Sequence, residues 1–225
     1  MVRTAHRSDP AVALLPRHRA IVAIDIEHST SCPDPVKAEF RRTLYDLFCQ
    51  ALRSAGISRH HHDRFSDRGD GLLALIYPVD QVPKALLLNR VIPAFATLLA
   101  DYNAAVPAAD LPHRQLRVRA VLHAGEVNYD ANGCFGEALD IAFRLLDAPA
   151  LKKALQATAG PLALVVSEDI FRAIVRHGYD GIDQCAFRPL VRVRIAGKRH
   201  PGWIYLPREA ATLNVTEMMR YRQPA

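Results

Sequence analysis

An α+β domain is predicted for this chain, on three observations. Short β-branched apolar runs, such as 20–26 (AIVAIDI) and 162–166, read as buried strands. Between them, apolar residues recur at helical spacing, as in Val36, Phe40, Leu44, Leu47, Phe48 and Leu52. The order is βαββαβ followed by further α/β pieces, which fits a single α+β domain.

The elements justify that class in order. The strand 20–26 breaks at Asp25 into the polar turn 27–31. Asp34-Pro35 supplies an N-cap and an N1 proline for the first helix, which stops near Gly56. A hairpin spans 60–77, with Gly69 and Gly71 in its turn. An apolar helix covers 81–102, adjusted around Pro83 and Pro93, and an Ala/Pro-rich loop follows at 103–112. The stretch 116–123 alternates Arg with apolar residues, as a half-buried strand does. A second strand begins at Gly125, with a turn at 131–133. Helices are expected at 137–146, 151–158 and 168–177, and strands at 162–166, 187–195 and 203–206. Residues 1–17 read as a flexible arm, 18–208 as the domain and 209–225 as a tail.

Composition narrows the class. Of 225 residues, 50% are hydrophobic and 23% charged, which is ordinary for a globular domain. No apolar run approaches the ~20 residues of a membrane span, and no signal-peptide core is evident. A cytoplasmic protein is expected. Cys32, Cys49, Cys134 and Cys185 form no CxxC pair, so neither a zinc site nor a disulfide framework is indicated. The net charge of +6 attracts polyanions. The cations are scattered, however, which favours a solvated surface over a dedicated nucleic-acid stripe. The histidines at 60–62 point to alternating faces of a strand and do not make a metal site.

Two carboxylates stand out. Asp25 sits where an apolar strand meets a polar turn, and Asp70 sits in a Gly-Asp-Gly hairpin turn. Carboxylates on adjacent strands can hold two hard divalent cations about 4 Å apart against a triphosphate. Either could instead be an ordinary turn residue. Arg144 lies four residues after Asp140 on one helix face, either as a surface ion pair or as a cation aimed at phosphate charge.

Three blocks then occur in the order of the class III nucleotidyl cyclases. Residues 23–30 (AIDIEHST) resemble the first metal motif of that family, and 69–71 (GDG) resemble the second. Residues 119–145 (RAVLHAGEVNYDANGCFGEALDIAFRL) resemble the strand–hairpin–helix block that ends in Asn-x-x-x-Arg. The resemblance implies the ferredoxin-like palm fold and a homodimer with active sites at the interface. It implies that Asp25, Asp70 and the Ile26 carbonyl hold two Mg²⁺ or Mn²⁺ ions. It also implies that Arg144 stabilises the transition state, and that Lys198, or else Arg194, holds the β/γ phosphates.

The chain departs from the family at the base-reading positions. Ser66 stands where adenylate cyclases carry Lys, and Gly133 where they carry Asp, Thr or Ser; Cys134 is one residue from the guanylate cyclase pattern. Arg59 and Phe65 are further candidates for reading the base, and Arg68 for holding triphosphate. Asp140 replaces the family Asn, and could weaken ribose positioning or pair with Arg144. The departures point to the standalone pyrimidine cyclases of Pycsar antiphage systems. Those make cUMP or cCMP for a separately encoded effector, with UTP favoured here over CTP. An adenylate cyclase with a rebuilt pocket, a silent cyclase-fold module and a basic nucleic-acid-binding domain are the alternatives.

Overall fold

The computed structural model describes residues 15–110 and 113–207. Most of the expected arm and all of the expected tail lie outside them. β1 (Arg17–Ile26) is buried on both sides along its centre. It therefore occupies the middle of the sheet, pairing antiparallel with β3 (Gly71–Ile76) and β4 (Val118–Asp130). It begins three residues before the apolar run, because Arg17, His18 and Arg19 still find partners on β4.

α1 (Asp34–Ser54) buries Phe40, Leu44, Phe48 and Leu52, the stripe expected from the spacing. Its N-cap is Pro33 rather than Asp34, whose carboxylate instead accepts from Lys37 Nζ at 3.3 Å. β2 (Ser66–Asp67) is only two residues long. The segment before it turns at 59–61 and holds the edge of β3 through isolated bonds such as Asp63 N–H to Leu75 C=O, 2.9 Å.

α2 (Lys84–Leu86) and α3 (Ile92–Ala104) are joined by a π-helical turn, Leu87–Val91. Pro93 has no N–H to continue the α ladder, and the wider turn ahead of it absorbs the defect. The resulting helix, Lys84–Ala104, is long and apolar enough by length and composition to cross a membrane, contrary to expectation. Leu87, Val91, Ile92, Phe95 and Leu99 nevertheless lie in the protein's core, and Phe95 meets the Phe48 ring edge-on at 5.4 Å.

β4 runs as one continuous strand through Gly125 instead of two. At Gly125 a Cβ would meet the Ala138 methyl at 2.7 Å, so the glycine serves close helix packing, not a turn. β5 (Gly133–Phe135) folds back on β4, and α4 (Glu137–Leu146) and α5 (Pro149–Gln156) follow. They form the crossover to β6 (Leu162–Ser167), which pairs parallel with β4 as such a connection requires. After α6 (Glu168–Ala173), β7 (Phe187–Ile195) and β8 (Lys198–Tyr205) make a hairpin turning at Ala196-Gly197.

The sheet order is β2-β3-β1-β4-β6-β8-β7, with β5 attached to β4. One face is covered by α1 and α3, over Val22 and Ile24; the other by α4 and α5, over Ile21 and Ala23. This is the α+β palm expected from the sequence.

A buried polar pair braces β4 to α6. His123, 2% exposed, shares a 2.8 Å hydrogen bond between Nδ1 and Ser167 Oγ, and that hydroxyl also accepts from the N–H of Ile170. Burial pushes the imidazole from 6.5 down to about 4, with Asp169 pulling the other way and His200 and His18 adding to burial. Below 6.5 the unfolded chain binds a proton that the fold refuses, so this stability is lost as pH falls toward 4. The stability advantage of wild type over His123→Asn at pH 7 is expected to shrink by about 2 kcal/mol at pH 5. Denaturant titrations of both proteins at the two pH values measure it, and a constant difference would refute the neutral ring.

Candidate active site

β1 delivers Asp25 to the end of the sheet, and the β2–β3 turn delivers Asp70 beside it. The register places Asp25 opposite both Gly71 of β3 and Arg119 of β4. The two turns are tied by Ile26 N–H to the Asp70 carbonyl, 3.1 Å. At Gly71 a Cβ would fall 2.1 Å from the Ile24 carbonyl oxygen, so only glycine lets β3 approach β1 here.

Asp70 is near enough to raise the cost of ionising Asp25. Burial, together with the neighbouring Asp70, pushes Asp25 from 3.8 up to about 6, although the Arg119 guanidinium pulls it down. Arg119 donates to Asp25 Oδ2, and its own Nε is buried without a partner. Ser29 Oγ donates to Asp70 Oδ2. Glu27 turns away from the pair to a salt bridge with Arg117 at 2.8 Å.

Beside Asp70 lies a cleft of 310 Å³, walled by Ile26, Ser29, Thr30, Lys37, Arg41 and Gly69. Asp70, Ser29 and Thr30 thus share a cleft with two cations, Lys37, which pairs with Asp34, and Arg41, which pairs with Asp67. Asp25, Asp70 and the Ile26 carbonyl fit a Mg²⁺ or Mn²⁺ site in donor chemistry. Burial and then the neighbouring Asp70 disfavour the Asp25 charge, and a divalent cation would offset both. Among the described residues there is no cluster of three or more His, Cys, Asp or Glu side chains, so part of any coordination shell would come from substrate and water.

The remaining sequence candidates sort by face. Asp140 and Arg144 are exposed on α4, and no ion pair joins them among the described residues. The possible Asp140–Arg144 pair does not form, and Arg144 is left with an exposed, unpaired guanidinium. Arg68 stacks on the neighbouring Phe143 ring at 4.4 Å. Ser66 lies beside the Cys134 thiol, which burial raises. Gly133, the other position compared with the family's base-reading pair, stands next to Cys134 at φ 140 and closes the β4–β5 turn.

Arg59 and Phe65, the other candidates for the base, are not with them. Strand alternation sends Phe65 to the α1 face and Ser66 to the opposite one. Arg59 and Phe65 line a separate cleft. Arg194 and Lys198 are exposed near the β7–β8 turn. The registers put that turn at the opposite end of the sheet from Asp25: Ile26 aligns with Val118 and Leu162, whereas Lys198 lies beyond Gly202, the partner of Ser167. One chain does not bring these two cations to its own aspartates.

Sequence reasoning missed Lys37, Arg41, Ser29 and Arg119 as members of the site. Lys37 and Arg41 stand four apart on the first turns after the Asp25 loop, a helical pair that could have been read. Arg119 required the β1–β4 register.

Neither a protein-family model nor a curated protein sequence matches the chain. Solved structures do. The guanylyl cyclase Cya2 superposes with a TM-score of 0.58 at 15% identity, over 85% of this chain and 93% of that one. An adenylate/guanylate cyclase/hydrolase from Silicibacter pomeroyi gives 0.57 at 16%, over 86% and 98%. The adenylyl cyclase CyaB from P. aeruginosa gives 0.52 at 11%, over 86% and 96%. At these identities the likeness is one of fold: the chain has the α+β fold seen in adenylyl and guanylyl cyclase structures.

Proposed function

We propose that this chain is a metal-dependent nucleotidyl cyclase, acting on a pyrimidine nucleoside triphosphate with UTP favoured over CTP. The observation that carries the reading is the crowded Asp25–Asp70 pair, held beside a cation-lined cleft on a cyclase fold. Asp25, Asp70 and the Ile26 carbonyl would hold two Mg²⁺ or Mn²⁺ ions, which supply Lewis-acid activation of the ribose 3′ oxygen and neutralise phosphate charge. Lys37 binds and orients the phosphates from the cleft. The 3′ oxygen attacks the α-phosphorus, pyrophosphate leaves, and the product is a 3′,5′-cyclic monophosphate. The unpaired guanidinium of Arg144 meets the transition-state charge.

That arginine, Asp140, Ser66, Gly133, Lys198 and Arg194 act on the partner's aspartates in a homodimer. The separation of Lys198 from Asp25 within one chain supports this division. Ser66 in place of the lysine and Gly133 in place of the acceptor remove the purine-reading pair, which supports a pyrimidine. Arg68, stacked beside this pocket, holds triphosphate. The antiphage role, through a cyclic-nucleotide-activated effector in the cytoplasm, rests on the resemblance to Pycsar cyclases.

Each of ATP, GTP, CTP and UTP is given separately to the purified chain with Mn²⁺, and products are identified by mass. A cyclic pyrimidine monophosphate, absent with Asp70→Ala, is expected. Cyclic AMP would replace the pyrimidine reading with an adenylate cyclase, and no product from any nucleotide would reject the enzyme. The dimer has its own test. Asp70→Ala and Arg144→Ala are each expected to be inactive. Mixing and reassembling them should restore about a quarter of wild-type turnover, since about half the dimers are mixed and each has one intact site of two. No recovery, with exchange verified, would rule out sites shared between subunits.

A further inference from the structure

The larger cleft, 1120 Å³, lies at the open edge of the sheet on the α1 side, away from Ser66 and Cys134. One wall is a flank of α1, where Arg41, Tyr45, Cys49 and Arg53 recur at helical spacing over about 18 Å. The other is the 57–67 segment, which ends in the two-residue edge strand β2. Its volume is somewhat above the range of small-ligand sites, roughly 300–1,000 Å³, so a ligand would fill part of it.

The charge in this cleft is unbalanced. Four arginines line it, Arg41, Arg53, Arg59 and Arg64, against two carboxylates, Asp63 and Asp67. Both carboxylates are already committed. Asp67 is held by Arg41 in a two-pronged bond of 2.9 and 2.6 Å. Asp63 accepts from Tyr77 at 2.9 Å, from Tyr129 at 2.6 Å and from Arg19 at 3.4 Å. Arg53, Arg59 and Arg64 are exposed and have no salt bridge among the described residues. Three uncompensated guanidinium groups around one concavity focus positive potential, and their forked donors match phosphate oxygens.

The same cleft carries aromatic surface. His62 stacks on Phe65 at 4.8 Å with the planes 21° apart, and Tyr45 meets Phe65 edge-on at 6.1 Å. Leu52 and Ile57 add apolar wall. A simple anion would use the arginines and leave the rings unused. A heteroaromatic ring bearing phosphates uses both.

We propose that this cleft is a second nucleotide site, separate from the aspartate pair, with the base on the His62–Phe65 stack and the phosphates on Arg53, Arg59 and Arg64. It also reaches the aspartates. Arg41 lines both clefts, and the Asp67 carboxylate it holds accepts from the Gly69 N–H at 2.8 Å, in the turn that presents Asp70. A phosphate that draws Arg41 away from Asp67 loosens that turn.

The test is calorimetric titration of the full chain with ADP and with UDP, in a chelator so that no divalent ion supports the aspartate site. Adenosine, uridine and pyrophosphate serve as partial probes. One diphosphate per chain is expected, with each partial probe at least about tenfold weaker. The double variant Arg59→Ala/Arg64→Ala changes two exposed side chains and should weaken diphosphate binding by about tenfold or more. Arg144→Ala should leave it unchanged. Three results would overturn the site: binding indifferent to the double variant, binding lost in Arg144→Ala, or pyrophosphate binding as tightly as ADP. A single-stranded RNA 12-mer that binds through Arg59 and Arg64 while the nucleotides do not would replace it with a nucleic-acid groove. A wild-type chain that turns over no nucleotide yet binds diphosphate in this cleft would sink the cyclase reading and leave this one standing.

Discussion

Asp25→Asn is expected to lower turnover about a thousandfold or more while making the metal-free protein more stable at pH 7. The two effects share one cause. The carboxylate is 21% exposed and lies beside a second one, so its charged form is disfavoured and its pKa sits at about 6. At pH 7 the fold holds that charge at a cost, and Arg119 offsets only part of it. The sign follows from proton linkage. The folded chain retains a proton between about 6 and 3.8 that the unfolded chain has released. Asp25 therefore weakens the fold as pH rises through that window, and Asn removes the penalty.

The gain is about 2 kcal/mol, taken below the full value of the shift because an amide accepts a weaker bond from Arg119. The loss in turnover corresponds to about 4 kcal/mol of barrier, within what metal positioning supplies. Denaturant unfolding in chelator measures the first effect, and product formation with Mn²⁺ the second. Added Mn²⁺ should raise the melting temperature of wild type and not of the variant. A variant that is both less stable without metal and still responsive to Mn²⁺ would remove Asp25 from the metal site.

Much of this arrangement was legible in the sequence, and the rest was not for identifiable reasons. α1 and α4 could be read because one buried stripe each, Phe40 to Leu52 and Ala138 to Leu145, repeats at helical period. Asp25 could be read because a carboxylate is out of place in an apolar run of a central strand unless something nearby needs its charge. β2 could not, since two residues carry no period, and the bonds before it belong to a turn. The strand break expected at Gly125 failed because a glycine can serve close packing as well as a turn, and only the Ala138 contact distinguishes them. The partnership of Asp25 with Arg119 spans 94 residues and depends on strand register, a property of pairing and not of either strand alone.

Gly71→Ala is the other large effect. The new Cβ would lie 2.1 Å from the Ile24 carbonyl oxygen and 3.3 Å from the Asp25 Cα, both backbone atoms of the central strand. No side chain can move to make room, so β3 must part from β1 at the position where Asp25 and Gly71 face each other. The bond from Ile26 N–H to the Asp70 carbonyl is the first to go, and with it the spacing of the two carboxylates. A loss of about 3 kcal/mol in unfolding free energy is expected, typical of forced overpacking. Turnover should fall about a hundredfold or more, since a displacement near 1 Å at a site can cost that much. Gly69→Ala, two residues away, is the control. Its φ of +77 disfavours alanine, but a Cβ there meets nothing within 4 Å. It should cost about 1 kcal/mol from the backbone alone and keep most of the turnover and the Mn²⁺ response. Equal losses in the two variants would mean that turn conformation, and not the contact between β1 and β3, sets the distance between the aspartates.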